Sequence, residues 1–276
     1  MTDNKNSVRK YVCFGVFVFA SLLMLCCEIF KEKFLSIGEH GELIYSVTSR
    51  FFGIVLCLVL VLYCGFGRIL KLIHTPFAKA LLAVLPCWLV AFNNFPIIPV
   101  MLGQARVTAE TTKLLLYALL CAFVGVFEEL AYRGCVFMLI LRNSRKTTKD
   151  IVRAIILSSA LFGAIHLVNL IAGAGPVGVL LQVGYSFLIG AMCSFVLIKT
   201  GSVWHCALMH AVYNFCGGVV ANYGEGSIWT APEIVLTAVV AVAVALYVFF
   251  ALRKTDPSDT DILFDKSKNE VKYGNV

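Results

Sequence analysis

Apolar residues run along this chain in long unbroken stretches divided by short polar breaks, at 11–30, 46–66, 77–97, 114–141, 151–171, 177–199, 201–221 and 231–252. Each stretch meets or approaches the roughly 20 helical residues that a bilayer core of about 30 Å requires. None alternates with period 2 and all are too long for barrel strands. Helices that satisfy their own backbone are therefore the expected form. The predicted fold class is all-α: a polytopic transmembrane helical bundle of about eight membrane helices, forming one integral membrane domain over 1–276. Gly201 divides the sixth and seventh stretches so tightly that adjacent antiparallel helices are expected there. Gly173, Gly175, Pro176 and Gly178 break the fifth from the sixth. The first stretch has a basic flank, but its apolar part is long and no Ala-x-Ala-like site follows, so it reads as an uncleaved anchor. From 255 to 276 the chain turns polar, with Asp256, Asp259, Asp261 and Asp265, and reads as a flexible cytoplasmic tail.

Composition removes the soluble alternatives. Hydrophobic residues make up 60% and charged residues 14% of the 276, with mean hydropathy +0.88; soluble domains hold about 25% charged residues. All eleven cysteines lie in or beside apolar runs, which points to buried thiols and not to a disulfide framework. The net charge of +7 is explained by topology: with both termini cytoplasmic, 17 of the 23 Lys and Arg fall on the inner side. A charge excess already required for insertion argues for contact with anionic lipid and not for nucleic acid. The short loops fit a multi-pass protein of a bacterial cell membrane; in a eukaryote the endoplasmic reticulum membrane would be expected.

Charged residues inside the fourth stretch change the picture further. Glu128, Glu129 and Arg133 sit in LLLYALLCAFVGVFEELAYRGCVFMLIL, where a charge at the bilayer centre costs about 2.5–3.5 kcal/mol on insertion scales. Glu129 and Arg133 are four apart and share a helix face, so they can pair, while Glu128 points about 100° away and stays available. His166 follows Phe162 by one turn in the fifth stretch, and His210 precedes Asn214 by one turn in the seventh. Counted from the cytoplasmic ends at 1.5 Å per residue, Glu128 lies about 20 Å deep, His166 about 22 Å, His210 about 14 Å and Asn214 about 20 Å. The residue arithmetic by itself supports a polar cavity that is either catalytic or ion-conducting. In the catalytic reading Glu128 is the general base that takes a proton from water, assisted by His166. His210 and Asn214 then donate toward the oxyanion. A zinc site built on Glu128, His166 and His210 is the alternative, although no HExxH helix motif is present. His205 lies five residues before His210 and reads as a helix-start or cavity-lining residue. No motif implies a soluble organic cofactor.

Three motifs, Glu128-Glu129-Leu130-Ala131-Tyr132-Arg133, Phe162-Gly163-Ala164-Ile165-His166 and His210-Ala211-Val212-Tyr213-Asn214, occur in that order within 114–221. Together they resemble the CPBP family, the CAAX-processing and bacteriocin-processing or self-immunity (Abi) intramembrane proteases. The resemblance implies a catalytic core at 114–221 that hydrolyses a peptide bond in a membrane-associated, bacteriocin-like or lipidated substrate by glutamate-activated water, without a metal. It implies that Glu128 activates water, that His166 is its partner and that His210 with Asn214 stabilises the oxyanion. Glu129, Arg133 and Phe162 carry over as supporting residues. Two rivals keep the same residues: a proton-coupled transporter with Glu128 and His166 as relay, and a catalytically inactive immunity or scaffold protein. A membrane-protein partner is compatible with all three readings.

Overall fold

The computed structural model describes Gly15, Gly38, residues 40–72 and residues 77–264. The apolar stretch at 11–30 lies outside the described residues apart from Gly15, and every other predicted stretch contains a helix. In chain order these are α1 (Gly41–Tyr63), α2 (Phe77–Asn93), the short α3 (Ile97–Met101), α4 (Thr111–Glu129), α5 (Met138–Ser144), α6 (Thr148–Ile165), the short α7 (Val168–Ile171), α8 (Pro176–Thr200), α9 (Val203–Tyr223) and α10 (Ala231–Arg253). A π-helical segment, Leu130–Phe137, joins α4 to α5 without a break. Two three-residue strands, β1 (Ala105–Val107) and β2 (Gly224–Gly226), pair antiparallel, with Ala105 opposite Gly226.

Five spans among the described residues are long and apolar enough to cross a membrane: Gly41–Tyr63, Thr111–Arg142, Thr148–Ile171, Pro176–Thr200 and Ala231–Arg253. Helix α2 is shorter, and α9 carries His205, His210, Asn214 and Asn222, which lower its hydropathy. The outer faces are apolar, including Phe52, Val59 and Leu62 on α1 and Val235, Val239 and Phe250 on α10. In water such faces would be an aggregation hazard; in lipid they are the solvated surface. The chain is a multi-pass helical membrane protein.

Local chemistry sets the helix ends. Before α6, Thr147 Oγ1 accepts from the Asp150 amide at 3.2 Å while Asp150 Oδ2 accepts from the Thr147 amide at 3.0 Å, a reciprocal cap. Pro176 opens α8, where its missing N–H has no helical partner to lose. Gly201 closes α8 at φ +72°, a left-handed conformation that turns the chain straight into α9.

Close backbone contact builds the centre. A Cβ on Gly125 of α4 would stand 2.6 Å from the Ala207 carbonyl oxygen of α9, and one on Gly163 of α6 would stand 2.8 Å from the Val183 carbonyl of α8. Apolar side chains gain little from leaving lipid for one another, so helix contacts of this kind depend on small residues that let backbones meet. Around them lies one core that includes Val61, Phe137, Met138, Phe195 and Met209. The eight described cysteines are all free thiols, and all but Cys216 are buried.

One expectation requires correction. The chain after Thr255 does not begin a loose tail: residues 255–264 fold back as a strap across the basic end of the bundle. Arg68 Nε donates to the Ile262 carbonyl at 2.7 Å, Lys199 stands 3.6 Å from Asp259, and Arg145 pairs with Asp261. Leu263 is fully buried, and the Phe264 ring meets Phe66 with centroids 6.3 Å apart. The aspartates that suggested a solvated tail are counter-charges to the helix-end cations, and the two apolar residues anchor the strap. Residues 265–276 lie outside the described residues.

Filling the α4–α9 contact should loosen the bundle. Gly125→Leu is expected to lower thermal stability in detergent by about 1–3 kcal/mol, the usual range for overpacking; an unchanged melting temperature would show that the close approach is not needed.

Candidate active site

The site begins at the α4–α9 contact. Because Gly125 lies against Ala207 and Ala211, the next turn of α4 brings Glu128 and Glu129 beside His210. Glu129 is completely buried and divides its carboxylate between two partners. Its Oε2 stands 3.1 Å from Arg133 Nε, and its Oε1 accepts from His210 Nδ1 at 2.8 Å. Arg133 is buried as well. Its guanidinium carbon lies 4.5 Å from the centre of the Phe162 ring, in room left by Gly190, whose Cβ would sit 3.0 Å from Arg133 Nη2. A buried charge is tolerated only when opposed, and here one carboxylate opposes the cation while an aromatic face covers it.

Glu128 faces the other way, into a cavity of about 140 Å³. His166, Phe162, His210 and Asn214 line the same cavity, together with Gln182, Tyr185 and Ser186 of α8. That volume has room for several waters. Glu128 Oε2 lies 3.6 Å from His210 Nε2, so His210 is gripped by Glu129 at one nitrogen and faces Glu128 with the other. His166 follows the last residue of α6, and its Nδ1 lies 2.9 Å from the Phe162 carbonyl oxygen. A carbonyl can only accept, so Nδ1 carries the hydrogen and a neutral ring keeps its lone pair on Nε2. Phe162 packs edge-on against both imidazoles, with centroids 5.3 Å from His166 and 5.8 Å from His210.

The structure thus gathers Glu128, His166, His210 and Asn214 around one space, with Glu129 and Arg133 behind its wall and Phe162 packed against both histidine rings. The i, i+4 pair of Glu129 with Arg133 is present as spacing predicted. Spacing could not show that Glu129 also holds His210, a contact between residues 81 apart. Nor did it anticipate the π-helical segment that begins directly after Glu129. The α8 wall was missed too, although Gln182 and Ser186, four apart in an apolar stretch, were a readable signal. His205 sits in the first turn of α9 and does not line the cavity. Of the candidate zinc ligands, Glu128 and His210 stand 3.6 Å apart; among the described residues no group of three His, Cys, Asp or Glu side chains is arranged to hold an ion.

Residues 110–216 match the family described as type II CAAX prenyl endopeptidase, Rce1-like. The chain carries a CPBP-family protease domain. That match spans α4 through the Asn214 turn of α9, so it includes every cavity residue named above and leaves out α1, α2 and α10. No curated protein and no solved structure matches the chain. The CPBP domain marks an intramembrane endopeptidase with a membrane-associated peptide as substrate.

Removing one member of the buried pair should be worse than removing both. Arg133→Leu leaves Glu129 short of a counter-charge and is expected to destabilise the protein by about 3–5 kcal/mol. Arg133→Leu with Glu129→Gln should recover part of that loss in thermal unfolding. Equal stability of the single and double variants would mean that the pair carries no mutual energy.

Proposed function

We propose that this protein cleaves a peptide bond of a membrane-associated substrate, of the lipidated or bacteriocin-like kind, by attack of a water activated by Glu128. The observation that supports this best is the shared cavity, which Glu128 of α4, His166 at the end of α6 and Asn214 of α9 all line. Glu128 accepts the proton of the attacking water. His166, with Nε2 as acceptor, orients that water, which adds to the scissile carbonyl carbon. The proton then passes from Glu128 to the departing amine as the C–N bond breaks.

The developing oxyanion needs donors. The Asn214 amide supplies one. His210 supplies the other from Nε2; because Nδ1–H is engaged by Glu129, a second hydrogen at Nε2 makes the ring an imidazolium, and Glu129 opposes its charge. Glu129 and Arg133 therefore hold His210 without touching the substrate. In the membrane we place both termini and the acidic strap, with the basic helix ends it covers, on the cytoplasmic side, in keeping with the distribution of Lys and Arg.

The test is cleavage of membrane peptides by the purified full chain in detergent, followed by mass spectrometry. Glu128→Gln is expected to lower kcat by about 10²–10⁴-fold, and Asn214→Ala by about 10²–10³-fold, both with native melting behaviour. Cleavage at the parental rate by folded Glu128→Gln would overturn the base assignment. Incubation with a strong zinc chelator is expected to leave the rate unchanged; loss on chelation with recovery on added zinc would replace the water-activating carboxylate by a metal mechanism.

A further inference from the structure

Helix α9 carries two adjacent glycines, Gly217 and Gly218, one turn beyond Tyr213 and Asn214. After proline, glycine is the least favourable residue in a helix interior, so two in succession need a reason. The space they leave supplies it. A Cβ on Gly217 would collide with Asn94 Nδ2, and one on Gly218 would collide with the Tyr117 hydroxyl. Through these openings the two side chains reach the α9 backbone: Asn94 Nδ2 donates to the Tyr213 carbonyl at 2.8 Å and the Tyr117 hydroxyl donates to the Asn214 carbonyl at 3.2 Å. Asn94 follows α2 and Tyr117 lies in α4, so two different elements grip consecutive peptide groups of α9. The Tyr117 ring is itself held between Phe215 and Tyr223, with centroids 5.8 and 4.7 Å away.

We infer that Asn94 and Tyr117 are positioning residues for the Asn214 amide, acting through the aperture that Gly217 and Gly218 open in α9. Both carbonyls already lie in the helical ladder, and a carbonyl oxygen has a second lone pair to accept an additional donor. Fixing the peptide groups on both sides of the Asn214 Cα fixes the rotation of that turn about the helix axis. Glu129 fixes the turn below through His210. The two oxyanion donors thus stand on a length of helix pinned at both levels, and reacting groups displaced by as little as 1 Å can cost about 10²-fold in rate. The inference rests on the oxyanion role proposed for Asn214.

A kinetic cycle tests it, with kcat and KM for peptide cleavage measured on the full chain and on Tyr117→Phe, Asn214→Ala and the double variant. Tyr117→Phe keeps the ring and removes the donor; kcat should fall about tenfold with KM within about twofold. The double variant should match Asn214→Ala alone, because a displaced amide cannot be lost twice. Gly218→Ala, which puts a methyl where the hydroxyl sits, should reproduce the kcat loss and serves as the second variant if Tyr117→Phe folds poorly. An unchanged kcat in Tyr117→Phe, or a loss that multiplies with that of Asn214→Ala, would overturn the positioning role while leaving the catalytic one intact. Parental kcat in Asn214→Ala would instead overturn the oxyanion assignment. Hydrogen exchange over residues 213–218 gives a readout that needs no substrate: faster exchange in Tyr117→Phe supports the grip, and identical exchange contradicts it.

Discussion

The Glu129 carboxylate, shared between Arg133 and His210 in a fully buried position, is the interaction on which the rest depends. Three chargeable groups inside a bilayer are unfavourable one by one, and they persist only where each supplies what another lacks. That requirement draws α4 and α9 together, and the small residues Gly125, Ala207 and Ala211 allow the backbones to come close enough. It also separates two adjacent glutamates into different roles. Glu129 is paired through both oxygens, and Glu128 turns toward the cavity.

The cavity follows from the same constraint. Phe162 covers the Arg133 guanidinium with its face and stands nearly perpendicular to both imidazoles, so the aromatic ring that shields the cation also packs against the two histidines. Helix α8 then closes the far side with Gln182, Tyr185 and Ser186, while Gln182 accepts from Asn169 at 2.8 Å and so ties that wall to the short helix after His166. A polar pocket within an apolar bundle is the setting in which fixed donors act most strongly on a developing charge.

Much of this was legible in the chain itself because bilayer physics is coarse. Stretches of about 20 apolar residues must be helices, and an intramembrane Glu-Glu-x-x-x-Arg with His and Asn on two other helices must converge or be expelled. What could not be read depended on contacts between distant residues. Spacing assigned Glu129 to Arg133, four residues away, but had no means of adding His210. Periodicity treated 114–141 as one regular helix, whereas the hydrogen-bond register changes to π just after Glu129, an adjustment that tertiary packing selects. The strap was misread for a related reason: Asp259 and Asp261 look like solvating charges until Lys199 and Arg145 are seen opposite them.

The most direct measurement is nitrogen-15 NMR of histidine-labelled protein in micelles, with His210 and His166 assigned by substitution. The expected result is a hydrogen on Nδ1 of both rings, a His210 Nδ1 resonance that shifts on Glu129→Gln, and a His166 resonance that does not. A His210 ring bare at Nδ1, or one indifferent to Glu129, would contradict the shared carboxylate and the arrangement of the site built on it.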